Sequence, residues 1–278
     1  MVSRSAAQTG AAVVAGGGWS ASAPQSASRA AGETGDAASC VGAAQAAANR
    51  VADALLGGAR NFAVDRALAD QLTVIVPGLR HVVRRARTFR RHALDAAVHR
   101  GCTQLLDLGA GIPTTGAPRW PGIAVYVDND PVAVADLRRV ASPGRFVMSA
   151  DILAPEALLD LIDDLGLLRL HEPVTVLLTM VLHHLDDVGA RYLLTTLAQR
   201  LAAGSRLIVS ALTSDALTDA QRHAVVTAYT AAPRLYLRTT EQTSAILTAG
   251  HLRVPHPCGR GGLFTATVTV PGTDGTRR

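Results

Sequence analysis

The chain has 278 residues, 48% of them hydrophobic, enough for one large domain or two small ones with a well-filled core. Its formal net charge of +5 has arginine as its sole cationic source, since lysine is absent. Three cysteines without a C-x-x-C spacing exclude a disulfide framework and a structural zinc site, and the longest apolar stretch, Val174 to Leu182, is too short for the roughly 20 residues that cross a membrane.

Residues 1–40 are rich in Ala, Gly and Ser, too poor in large apolar groups to offset ordering entropy, and are expected to form a disordered tail. Arg4 precedes "AAVVAGGGW", which lacks the compact apolar core of an export signal, so a cytoplasmic protein with free thiols is expected. Residues 41–100 read as a helical cap: "AAQAAANRVADALL", then "FAVDRALADQLTVIV" stopped by Pro77-Gly78, then an arginine-rich segment ending near Arg100-Gly101. Within it, "RHVVRRARTFRRH" (80–92) keeps Val82, Val83, Ala86, Phe89 and Ala93 at helical spacing. Its arginines therefore read first as a solvated helix face, with contact to an acidic substrate as the other reading, and a nucleic-acid partner is not expected.

Residues 101–278 switch to short β-rich runs separated by helical segments, the pattern of a parallel sheet with helices on both faces. The expected strands are Thr103–Leu108, Ile123–Asp128, Arg145–Ser149, Val174–Met180 and Arg206–Ser210, with helices over Pro131–Val140, Pro155–Leu165 and Val188–Leu201. His251–His256 and Leu263–Val270 would close the sheet as an antiparallel hairpin.

In such sheets ligands bind outside the carboxyl ends of the strands. There the chain places Asp107-Leu108-Gly109-Ala110-Gly111, Asp128-Asn129-Asp130, Ala150-Asp151-Ile152 and Val181-Leu182-His183-His184. Gly109 and Gly111 let backbone approach a ligand, Asp128 is spaced to accept from ribose hydroxyls, and Asp151 is placed to face an adenine amino group. A dinucleotide site wants a third glycine, where Thr114 stands. The charge of Asp107 would repel a diphosphate but could accept from the ammonium of a methionine moiety, so S-adenosylmethionine fits better than NAD.

These motifs resemble those of class I S-adenosylmethionine-dependent methyltransferases. More narrowly, "NRVADALLGGARNFAVDR", "FRRHAL", "LLDLGAGIPTTG", "VYVDNDPVAVADLR" and "VLLTMVLHHLDD" resemble the actinobacterial S-adenosyl methyltransferase family, first catalogued as a domain of unknown function. The resemblance implies an α/β, Rossmann-like doubly wound seven-stranded sheet with its last strand antiparallel, preceded by an N-terminal helical extension. It also implies S-adenosylmethionine held by Asp107, Gly109, Gly111, Asp128 and Asp151, with Ala110, Asn129, Ala150 and Ile152 beside them. Where the family has tyrosine and "KD", this chain has Ala52, Ala59 and Arg60.

Because the cofactor carries its own leaving group, the protein mainly aligns a nucleophile with the methyl and excludes water. For a hydroxyl acceptor, His183 is the expected catalytic group, or else a hydrogen bond that pins the loop, while His184 reads as surface. "LLGGARNFAVDR" is either a lid that turns Asn61, Asp65 and Arg66 toward the cofactor, or two helices joined at Gly57-Gly58 with Asn61 as a cap. The expected partner is a small-molecule acceptor, with a second copy of the chain left open and no metal. A non-catalytic binding protein and an NAD-linked oxidoreductase are the competing readings.

Overall fold

Short runs of β-branched and aliphatic residues, each bounded by glycine, proline or a helix cap, become the strands of one sheet. The computed structural model describes residues 12–15, 45–113, 120–252, 254 and 258–272. Its strands are β1 (Ala12–Ala15), β2 (Gln104–Leu108), β3 (Ile123–Asp128), β4 (Arg145–Ser149), β5 (Thr175–Thr179), β6 (Arg206–Leu212), β7 (Cys258–Arg260) and β8 (Leu263–Thr269). They lie in the order β1-β4-β3-β2-β5-β6-β8-β7. β4, β3, β2, β5 and β6 are parallel, and β8 runs antiparallel between β6 and β7. This is the expected α/β, Rossmann-like doubly wound sheet with an antiparallel last strand.

Two features differ from expectation. Ala12–Ala15 is not unstructured tail but an eighth strand, paired antiparallel with Phe146–Ser149. The rest of the expected tail, Cys40 included, lies outside the described residues, as do Thr114 and its neighbours through residue 119. Of the expected strand His251–His256, the described residues His251, Leu252 and Val254 are not in a strand, and His251 turns with a positive φ of 60°. Arg253 and residues 255–257 lie outside the described residues, and the described part of the hairpin is Cys258–Arg260 with Leu263–Thr269. Arg260 pairs with Leu263 across Gly261 and Gly262, at φ 53° and 79°, a two-residue turn with both φ positive that glycine adopts without strain.

The helices are α1 (Ala48–Leu55), α2 (Ala63–Ile75), α3 (Leu79–His99), α4 (Pro131–Val140), α5 (Pro155–Asp164), α6 (Asp187–Arg200), α7 (Asp219–Ala228) and α8 (Thr240–Ala249). Successive residues of the central strands feed opposite faces: Leu106, Val125 and Val176 join a core with α5, α6 and α8, while Leu105, Ala124 and Tyr126 join one with α3 and α4. A third core, with Val51, Leu68, Leu72, Val83 and Val225, holds α1, α2 and α7 against the first turns of α3. α3 therefore belongs to both parts: Ala97, near its end, is fully buried against the sheet. Among the described residues no helix is long and apolar enough to cross a membrane.

Candidate active site

The sheet's carboxyl edge and the helical cap enclose a cavity of about 710 Å3, within the roughly 300–1,000 Å3 of small-molecule sites. Its outer wall is the turn after β2. Gly109 (φ 69°) and Gly111 (φ 66°) take left-handed backbone, and a Cβ on Gly109 would lie 2.6 Å from Cγ2 of Val181. Asp128 then ties this turn to the next: its Oδ2 accepts from the Gly111 N–H at 2.8 Å and its Oδ1 from the Asp130 N–H at 2.9 Å. Burial pushes the Asp128 carboxyl above the usual range, and those two N–H groups oppose the shift. Asp151 accepts from the Leu153 N–H, and both residues face the cavity.

Of the residues expected from sequence, Gly109, Ala110, Gly111, Asp128, Asn129, Ala150, Asp151, Ile152 and His183 line this cavity. Asp107 does not line it. It is fully buried below the wall, its Oδ2 bonded to the Arg90 guanidinium from α3 and its Oδ1 without a partner. Burial raises its pKa, with Arg90 pulling the other way. Arg90 thus occupies one of its two oxygens, and the other is buried rather than open to the cavity.

Asn61 and Arg66 also lie off the cavity, because the loop 57–61 folds onto Asp53 rather than over the glycine turn. Asp53 Oδ2 accepts from Arg60 N at 2.8 Å and from Asn61 Nδ2 at 2.7 Å, and Arg66 donates to the Asn61 carbonyl and side chain. Asp65, fully buried, accepts from Ala47 N, Phe62 N and the Arg50 Nε at 3.0 Å. Arg50 continues to Asp130 at 3.1 Å, so this ion-pair chain bolts the cap to the turn after β3.

Three features were missed in the sequence. Arg87 lines the cavity, half-buried, and makes no ion pair or hydrogen bond with the described residues; burial and the Arg90 charge lower its pKa. It stands four residues after Val83, so the buried stripe of α3 continued into two arginines read as solvated. Met180, just after β5 at the cavity wall, holds φ 62°, costly for a residue with a side chain and typical of functional sites. Beyond it the 3-10 turn Leu182–His184 is pinned by Arg238, whose guanidinium donates to the carbonyls of Leu182 (2.9 Å) and Leu185 (2.6 Å). That turn delivers His184 as well as His183 to the cavity.

A family model described as S-adenosyl methyltransferase matches residues 34–257. Among solved structures, a candidate methyltransferase from Thermobifida fusca is 25% identical with a TM-score of 0.71, over 82% of this chain and 96% of that one. A DUF574-family protein from Streptomyces avermitilis is likewise 25% identical, with a TM-score of 0.72 over 83% of this chain and all of its own. No curated protein matches the sequence.

Proposed function

The chain belongs to the S-adenosyl methyltransferase family, and on that premise we propose that it transfers a methyl group from S-adenosylmethionine to a small-molecule acceptor enclosed between sheet and cap. The observation that carries this reading is the single cavity running from the Gly109–Gly111 turn to the apolar underside of the cap. Its two ends differ in polarity, as a polar cofactor beside an apolar acceptor would require.

The residues present fit the cofactor. Asp128 keeps lone pairs beyond its two backbone bonds, in the place where ribose hydroxyls would donate. Asp151, with Asn129, Ala150 and Ile152 around it, would receive the adenine. Arg87, which makes no ion pair or hydrogen bond with the described residues, would take the methionine carboxylate, and Arg90 neutralises Asp107 beneath it. The cofactor supplies an electrophilic methyl on a sulfonium; the chain binds, orients the acceptor and excludes water.

Calorimetric titration with S-adenosylmethionine, S-adenosylhomocysteine and NAD tests the reading. Micromolar binding of the first two and none of NAD is expected. Arg87→Gln should weaken S-adenosylhomocysteine by roughly ten- to a hundredfold, the worth of a charged hydrogen bond, and leave 5′-methylthioadenosine, which lacks the carboxylate, unchanged. A folded protein that binds neither adenosyl ligand would refute the proposal.

A further inference from the structure

The inner end of the cavity differs chemically from the cofactor end. Leu72, Val76, Val82, Val83, Val225 and Leu235 wall it, and none can form a hydrogen bond through its side chain. Gln221 reaches it already committed, donating to the Ile75 carbonyl and accepting from Thr218. The remaining polar side chains on this wall are the buried hydroxyl of Thr213, His183, His184 and Tyr229, whose ring stacks on His184 at 5.9 Å between centroids.

The two histidines are not equivalent. Nδ1 of His183 accepts the Leu212 N–H at 3.2 Å, and a nitrogen that accepts carries no proton. In the neutral ring the proton therefore sits on Nε2, leaving no lone pair there. Nδ1 of His184 lies 3.2 Å from the Arg234 carbonyl, which can only accept, so this nitrogen holds the proton and Nε2 has the free lone pair. Burial keeps both rings neutral, and lowers the pKa of His184 to about 4. The inner chamber is thus mainly aliphatic, and of its histidine ring nitrogens one, Nε2 of His184, is able to receive a proton.

We infer that the chamber takes an uncharged, largely apolar acceptor bearing a phenol-type hydroxyl, whose proton passes to Nε2 of His184 while His183 only positions the turn. The inference rests on the methyl-transfer reading above. In the step the hydroxyl oxygen forms a C–O bond to the methyl as the C–S bond of the sulfonium breaks. S-adenosylhomocysteine leaves with the sulfur electron pair, and the O–H proton moves to Nε2, giving a methyl ether and an imidazolium that later releases its proton to water. A weak base suffices, because the oxygen becomes strongly acidic as it gains the methyl. A carboxylate or ammonium acceptor would have to shed its hydration against aliphatic walls.

Two measurements test this. Nitrogen NMR of the full chain labelled at histidine should show an unprotonated Nε2 in His184 and an unprotonated Nδ1 in His183; the reverse tautomers would overturn the assignment without any ligand. Fluorescence titrations of 2-naphthol, naphthalene and naphthalene-2-sulfonate follow, on protein saturated with S-adenosylhomocysteine. The naphthol should bind about three- to tenfold tighter than naphthalene, the worth of one hydrogen bond, and His184→Phe should erase that difference while keeping naphthalene binding. The sulfonate should bind weakest. Equal affinity of naphthol and naphthalene in the unaltered chain, preference for the sulfonate, or no naphthalene binding with S-adenosylhomocysteine bound would each overturn the inference. Failure of S-adenosylhomocysteine to bind would instead remove the reading beneath it.

Discussion

Replacing Asp65 by Asn should loosen the cap more than any other single polar change in it. The Asp65 side chain is fully buried and that of Arg50 is 3% exposed, so removing one charge strands the other in a medium that solvates it poorly. Breaking such a pair costs about 3–5 kcal/mol. Arg50 keeps Asp130 at 3.1 Å and the Gln45 carbonyl at 2.6 Å, which pulls the cost toward the lower figure. The amide cannot accept from Ala47 N, Phe62 N and Arg50 together, which adds about 1 kcal/mol. At roughly 2–4 °C per kcal/mol for a domain of this size, the resulting loss of about 4–6 kcal/mol should lower Tm by about 8–24 °C. Thermal unfolding followed by circular dichroism measures this, and proteolysis should reach Gly57-Gly58 sooner. Asp70→Asn is the control: its pair with Arg80 leaves Asp70 73% exposed, so less than about 1 kcal/mol should be lost. If the two variants melt together, the buried chain is not what secures the cap.

Gly58→Ala would place a Cβ 2.0 Å from Oδ1 of Asp53 and drive that carboxylate off Arg60 N and Asn61 Nδ2. A loss of roughly 2–3 kcal/mol in urea unfolding is expected, and a change below about 0.5 kcal/mol would contradict the packing. His184 titrates near 4 when folded and near 6.5 when unfolded. Between those values the unfolded chain binds more protons, so this residue's contribution falls as pH falls, by up to about 1.4 kcal/mol per unit. The raised carboxyls of Asp107 and Asp128 work the other way. The readout is therefore the difference from His184→Gln, which should lose less stability between pH 6.5 and 5; parallel curves would reject the buried neutral ring. Arg238→Met should free the Leu182 and Leu185 carbonyls, and amide hydrogen exchange over residues 182–186 should quicken while the β2–β3 core keeps its protection.

The elements most legible in the sequence carried their own boundaries. Asp130-Pro131 gave α4 its cap and first turn, and β3 and β4 were read at their observed limits because each is an apolar run flanked by glycine or a cap. The Gly261-Gly262 pair forms the hairpin turn, a two-residue glycine loop whose signal is local. β1 left no local trace: its partner lies over a hundred residues away, and pairing across that distance is a tertiary fact. The same holds in the site. The glycine turn, Asp128 and Asp151 are local consequences of strand ends. Whether Asp107 or Arg87 meets the ligand depends on which face of α3 lies over the sheet, and the choice between His183 and His184 depends on the Leu212 amide and the Arg234 carbonyl.

Asp130 is at once the N-cap of α4, the neighbour whose N–H fixes Asp128, and the far end of the Arg50 chain. The cap's attachment and the Asp128 end of the cleft therefore share one residue. By reciprocity, whatever free energy an adenosyl ligand gains by stiffening that turn it must also lend to the cap's closure. A cap weakened at Asp65 would then lower the equilibrium affinity for S-adenosylhomocysteine, so that grip and closure are held by the same bolt.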